Sequence, residues 1–262
     1  MKNFHQLLVE KRGAAFWIIL NDPETRNAFS LDMASEFLQA LRAAIKNKDV
    51  SVIVISGTGQ SFSAGGNIKM MNAEKNLSDF FRKISQMINT VVLEMRKSEK
   101  PILAAIPGYV GGIAFGMLLG TDLRIASSKA QFCAATIRLG LVANGSATYF
   151  LPRMVGLARA NEILFLGDIF SADEALKMGL INRVVPSEQL ENETQQIAER
   201  LAASPQKALG RLKKIVNESL TSTLRAQLER ERQSIAWSST TPDFQEGMKA
   251  FLEKRASRFN ES

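Results

Sequence analysis

The chain has 262 residues, 45% hydrophobic and 23% charged, the proportions of a soluble globular protein with room for one large core. One histidine and one cysteine, Cys133, exclude an intramolecular disulfide and a Cys/His zinc site, and any Ser-His-Asp triad would have to recruit His5 from an exposed N-terminal arm. The net charge of +7 is spread over 33 basic residues interleaved with 26 acids and no basic-aromatic run, which argues against a nucleic-acid surface and leaves either a solvated surface or a small phosphate-bearing ligand to account for it.

Along the chain, "FWIILND" reads as a strand closed by the turn residues of "NDPETRN". "SLDMASEFLQALRAAIKN" carries helical spacing with Ser30 as N-cap, and "SVIVIS" is the continuous β-branched run of a strand buried on both faces. A glycine-rich loop, "FSAGGNIK", separates that strand from the amphipathic helix "LSDFFRKISQMINTVVLEMRKSEK". "PILAAIPG" is a second buried strand, "GGIAFGMLLGTD" a glycine-spaced helix and "LRIASS" a third strand, so the expected core has parallel strands joined by helical crossovers. Beyond it, "SADEALKMG" has Ser171 as N-cap, Glu174 three residues on and Gly179 at the stop. Helices starting Ser204-Pro205 and Thr241-Pro242 follow. The expected division is an α/β core over residues 1–200 and a helical region over 201–262. The charged start "MKNFHQLLVEKRG" and the lack of any apolar run of ~18 residues predict no signal peptide and no membrane span, and the lone Cys133 fits a reducing cytoplasm.

The glycines have no nucleotide-binding pattern: "GTGQSF" puts Phe62 where the dinucleotide fingerprint needs its third glycine, and there is no P-loop. Gly112, Gly116 and Gly120 recur on one helix face, which for the last two means close packing. Gly111-Gly112 stands where a strand becomes a helix, and the first N–H groups of a helix have no internal acceptor. With "FSAGGNIK" after the preceding buried strand, two turns could each present a backbone donor, and two converging N–H groups stabilise negative charge on a carbonyl oxygen.

The ordered set "FSAGGNIK", "PILAAIPGYVGG", "TDLRIASSKAQF", "LPRMVGLARANEILFLGDIFSADEALKMGLINRVVP" and "FLEKR" resembles the crotonase family of enoyl-CoA hydratases and isomerases over nearly the whole chain. The resemblance implies an α/β fold, a spiral of repeated β-β-α units with a C-terminal helical trimerisation region, and a trimer or hexamer. It also implies an acyl-CoA thioester substrate, coenzyme A being part of that substrate and no separate cofactor being needed, and an enolate held by two backbone donors. Those donors fall on Gly66 and Ile113, the latter a β-branched residue that would narrow the pocket. Arg26, Ala64, Asn67, Ile68 and Lys69 match positions lining the CoA arm, and Phe251 and Lys254 match a contact made to the nucleotide by a neighbouring subunit.

The two glutamates that hydratases of the family use are replaced by Gly116 and Thr136, neither of which exchanges protons with carbon at neutral pH. The single acid of the isomerase branch falls on Asn144 in "VANGSATYFLPR", which has no proton to trade. Ser146, Thr148 and Tyr149 lie nearby in sequence, and Asp22, Glu74, Asp79 and Asp122 are possible replacement acids if the fold brings them to the cleft. The resemblance thus leaves three readings: double-bond isomerisation or a related enoyl-CoA reaction, with a slight edge because "GSATYFLPR" resembles the isomerase branch; decarboxylation of a malonyl-type thioester; and acyl-CoA binding without catalysis.

Overall fold

The computed structural model describes residues 4–259. Its first strands, β1 (Leu7–Arg12) and β2 (Ala15–Leu20), form an antiparallel hairpin through Gly13, whose φ of +59° suits a two-residue reversal. The expected exposed arm is thus only partly an arm: His5 is exposed, but Leu7 onward is an edge strand. Its charged end, Glu10-Lys11-Arg12, hides the strand periodicity and blunts the edge against pairing with other chains.

Helix α1 (Leu31–Lys46) begins at Ser30, whose Oγ accepts from Met33 N at 3.0 Å. A repeated unit then follows. Strand β3 (Val52–Gly57) runs into β4 (Ser61–Ser63) and helices α2 (Ile68–Ala73) and α3 (Leu77–Lys97). Strand β5 (Ile102–Ile106) runs into β6 (Tyr109–Gly111) and α4 (Gly112–Leu119). Strand β7 (Leu123–Ser127) runs into β8 (Gln131–Cys133) and α5 (Ala147–Val155). The chain continues through α6 (Leu157–Leu166), β9 (Ile169–Ser171), α7 (Ala172–Lys177) and β10 (Arg183–Val185). It ends in α8 (Leu190–Ala202), α9 (Gln206–Ser219), α10 (Leu224–Ser238) and α11 (Pro242–Leu252).

In each unit the first strand enters a six-stranded sheet of order β1-β2-β3-β5-β7-β10, and the second enters a four-stranded sheet of order β4-β6-β8-β9. Pairing is parallel except at β1–β2 and β8–β9. This is the α/β spiral of β-β-α units expected from the resemblance. Parallel strands covered on both faces explain the unbroken apolar runs. In β3, Ile53 and Ile55 face the large core with α1, α3 and α4, while Val52 and Val54 face a smaller core closed by Leu190 and Ala198 of α8. Helix α8 contains the expected 200/201 division, so the helix that starts the C-terminal region also covers the large sheet. The capping box of Ser171 and Glu174 is present, as is the Thr241 cap. At α9 the helix starts later than expected: Pro205 takes the cap position, and the Ser204 hydroxyl donates back to Arg200 O at 2.9 Å.

Candidate active site

The two glycine turns sit side by side because their strands do. Strands β4 and β6 pair in parallel, Ser61 opposite Tyr109 and Ser63 opposite Val110, so both chains leave the small sheet at the same end. After β4, Ala64 N donates to Arg26 O at 2.9 Å, Phe29 N to Gly65 O at 2.6 Å and Asn67 N to Phe29 O at 3.3 Å. Phe29 therefore spends its N–H and C=O on Gly65 and Asn67, and the N–H of Gly66, opposite it in a parallel bridge, is turned the other way. After β6, Gly111 caps α4 without a side chain, so Gly112, Ile113 and Ala114 begin the helix with N–H groups that lack internal acceptors. Gly65 (φ +97°) and Gly112 (φ +50°) turn the two chains. A Cβ on Gly65 would lie 2.7 Å from Gly111 O, and one on Gly111 would lie 2.8 Å from Ala64 O. Backbone lies directly on backbone, which is what the paired glycines make possible.

Gly66 and Ile113 line one cavity of about 490 Å³. Its walls are largely apolar, with Ile68, Met71, Phe81, Ile84 and Val142 prominent. Its polar side chains are Ser85, Tyr109, Thr136, Arg138 and Asn144; among the described residues no Asp, Glu or His lines it. Ala64 and Ile68 face this cavity, and Arg26 lines a smaller neighbouring pocket with Gln60 and Ser61. Asn67 is occupied as the cap of α2, accepting from Met70 N at 3.1 Å, and Lys69 is exposed. Phe251 and Lys254 lie at the exposed end of α11, apart from the cavity of their own protomer, and Lys254 has a φ of +53°.

The positions to which the resemblance assigns acids differ in kind. Thr136 lines the cavity, so a side chain there would reach it. Gly116 is sealed off: a Cβ would lie 2.2 Å from Asn144 O and 2.8 Å from Gly145 O, and Ser146 Oγ donates to Gly116 O at 2.9 Å. The 144–146 backbone fills the space a glutamate would need. Asn144 itself lines the cavity, its Nδ2 donating to Ser85 Oγ at 3.3 Å. Ser146 and Tyr149 face another pocket, of about 460 Å³, and Arg153 stacks on the Tyr149 ring at 3.8 Å; Thr148 is exposed.

The four candidate acids serve elsewhere. Asp22 accepts from Thr25 Oγ1 at 2.7 Å, Asp79 pairs with Lys83 at 2.7 Å, and Glu74 is exposed at the end of α2. Asp122 holds Lys213 at 2.7 Å and Arg96 at 3.3 Å while accepting from Ile102 N at 2.8 Å. Burial lowers the affinity of Lys213 for its proton, and Asp122 opposes that.

Tyr109 was not singled out in the sequence. Its ring is half-buried beside Gly111, with the Arg26 guanidinium 4.7 Å from the ring centroid. Burial, then the nearby Cys133, push its phenol up to about 12, so it stays protonated. The signal available was its place in "GYVGG", two residues before Gly111, on the same strand face.

A family model described as Enoyl-CoA hydratase/isomerase matches residues 10–262. The chain is 32% identical over 244 residues to 1,2-epoxyphenylacetyl-CoA isomerase of Escherichia coli, covering 92% of this chain and 93% of the relative. It is 32% identical over 258 residues to crotonyl-CoA hydratase of Syntrophomonas wolfei, covering 98% of each. The crystal structure of an enoyl-CoA hydratase from Bacillus anthracis superposes with a TM-score of 0.94 at 28% identity, over 98% of this chain and 100% of that one. With the spiral fold and the two glycine turns, these matches place the chain in the enoyl-CoA hydratase/isomerase family of the crotonase superfamily.

Proposed function

We propose that the protein binds an acyl-CoA thioester in this cavity and stabilises the thioester enolate with the N–H groups of Gly66 and Ile113, the enolate arising by decarboxylation of a malonyl-type acyl group. One observation carries the choice of reaction: the cavity beside the two turns has no carboxylate or imidazole among the described residues. Hydration and isomerisation start with proton transfer by a positioned acid or base, worth about 10²–10⁴-fold. Decarboxylation needs no base. The bond from Cα to the carboxylate breaks, carbon dioxide leaves, and the electron pair moves into an enolate whose oxygen accepts from both amides. The apolar walls favour this by withdrawing solvent from the departing carboxylate.

In this reading Arg26, Ala64, Asn67, Ile68 and Lys69 hold the CoA arm, Asn144 orients the acyl group, and no separate cofactor takes part. Leu224, Leu228 and Ile235 on one side of α10, with Phe244, Met248 and Phe251 on α11, are exposed apolar residues that a trimer or hexamer would cover, bringing Phe251 and Lys254 to a neighbour's nucleotide. Double-bond isomerisation is the second reading, supported by the 27% identity over 259 residues to trans-2-decenoyl-[acyl-carrier-protein] isomerase of Streptococcus mutans, and it requires a base other than a carboxylate.

The test is turnover of methylmalonyl-CoA and malonyl-CoA beside crotonyl-CoA and a 3-enoyl-CoA. The expected result is carbon dioxide release from the first pair and no hydration of crotonyl-CoA. Isomerisation of the 3-enoyl thioester alone would establish the second reading, and tight acyl-CoA binding without turnover would make the protein a non-catalytic family member.

A further inference from the structure

The proposed decarboxylation leaves an enolate that must be quenched at Cα, and no acid of the family pattern remains to do it. Of the side chains lining the cavity, Ser85, Thr136 and Asn144 carry hydroxyl or amide protons far less acidic than a phenol, and the guanidinium of Arg138 does not give up its proton. Tyr109 is the exception. It stands at the start of β6, three residues before the helix whose second residue is Ile113. Its ring folds along the strand over Gly111: a Cβ there would lie 2.7 Å from Tyr109 Cε1 and 3.0 Å from the phenolic oxygen. The missing side chain of Gly111 is therefore the space the phenol occupies, with Cys133 beside the hydroxyl, and Tyr109 lines the same cavity as Gly66 and Ile113. The Arg26 guanidinium, 4.7 Å from the ring centroid, holds the ring from its face.

We propose that Tyr109 is the proton donor of this site, delivering the hydrogen of its phenolic hydroxyl to Cα of the thioester enolate. The inference rests on the decarboxylation reading. After carbon dioxide has left, the O–H bond of Tyr109 breaks, a C–H bond forms at Cα, and the electron pair remains on the phenolate, which takes a proton from solvent. An enolate carbon is a much stronger base than a phenolate, so the transfer runs downhill. A phenol that stays protonated at neutral pH is suited to donating and poorly suited to abstracting, which matches a reaction that starts by losing carbon dioxide.

The experiment is decarboxylation of methylmalonyl-CoA in D2O by the full-length protein and its Tyr109→Phe variant, following rate and the configuration of the deuterated product. Expected is a single configuration from the parent. In Y109F, kcat should fall about 10²–10⁴-fold with KM little changed, and the residual product should carry deuterium without stereochemical preference. A loss of packing alone would not scramble the configuration. Y109F retaining both rate and configuration overturns the role of Tyr109 and leaves the decarboxylation reading standing, whereas a parent protein that releases no carbon dioxide overturns that reading and this inference together. Should Y109F fail to fold, 3-fluorotyrosine at position 109 decides: a changed rate with the configuration kept supports the donor, and an unchanged rate overturns it.

Discussion

Placing a glutamate at position 116, where the resemblance assigns a hydratase acid, should fail for a reason written in the backbone. A Cβ on Gly116 would lie 2.2 Å from Asn144 O, 2.8 Å from Gly145 O and 2.9 Å from Gly145 C, all main-chain atoms that cannot swing aside. The approach is mutual, because a Cβ on Gly145 (φ +64°) would lie 2.6 Å from Ile113 O. Gly116→Ala must push the 144–146 loop off α4, an overpacking cost of about 1–3 kcal/mol. The bond from Ser146 Oγ to Gly116 O would stretch as well, adding about 1 kcal/mol. The sum, about 2–4 kcal/mol, corresponds to a melting temperature lower by roughly 4–16 °C. Gly116→Glu adds the cost of a carboxylate in an apolar helix and should lose more. Thermal unfolding of G116A and G116E, with crotonyl-CoA hydration assayed on the G116E/T136E double variant, checks this. A G116A protein as stable as the parent, or a double variant that hydrates crotonyl-CoA, would refute the claim that the loop occupies the acid's place.

Four further outcomes are expected. Gly65→Ala, strained at φ +97° and 2.7 Å from Gly111 O, should cost about 2–4 kcal/mol in urea unfolding. Gly66→Ala meets only the mobile end of Met71, so it should cost under about 1 kcal/mol while weakening acyl-CoA binding in calorimetric titration. Asp122→Ala strands the buried Lys213 and the partly buried Arg96, costing about 3–5 kcal/mol, and adding Lys213→Met should recover part of it. In a Tyr149→Phe background the sole remaining tyrosine, Tyr109, should ionise at about 12 in near-UV absorbance, against the ordinary 10 after denaturation. Between those values the folded state holds more protons, so its contribution to stability is present below the ordinary value and is lost as pH rises through the window. A Tyr109 that titrates near 10 in the folded protein would contradict its burial.

Much of the fold was legible because its signals are local. The unbroken apolar run of β3, the caps at Ser30, Ser171 and Thr241, and the amphipathic face of α3 each report how one segment is buried, whatever lies elsewhere. The short strands β4, β6, β8 and β9 were not, since three residues are too few for a period to repeat and their pairing is set by the larger sheet beside them. Strand β1 was masked by its own edge charges.

Sequence alone determined that two glycine turns follow two buried strands, and its resemblance to the family singled out Gly116, Thr136 and Asn144 as positions to inspect. Tertiary structure decided the rest of the site. Parallel pairing of β4 with β6 lays one turn on the other, the 144–146 loop seals Gly116 while Thr136 stays open to the cavity, and the folding of Tyr109 over Gly111 brings in a phenol that no motif marks. The reason is range. Burial and capping are fixed by neighbours a few residues apart, whereas the groups that face one cavity depend on the register between strands far apart in the chain.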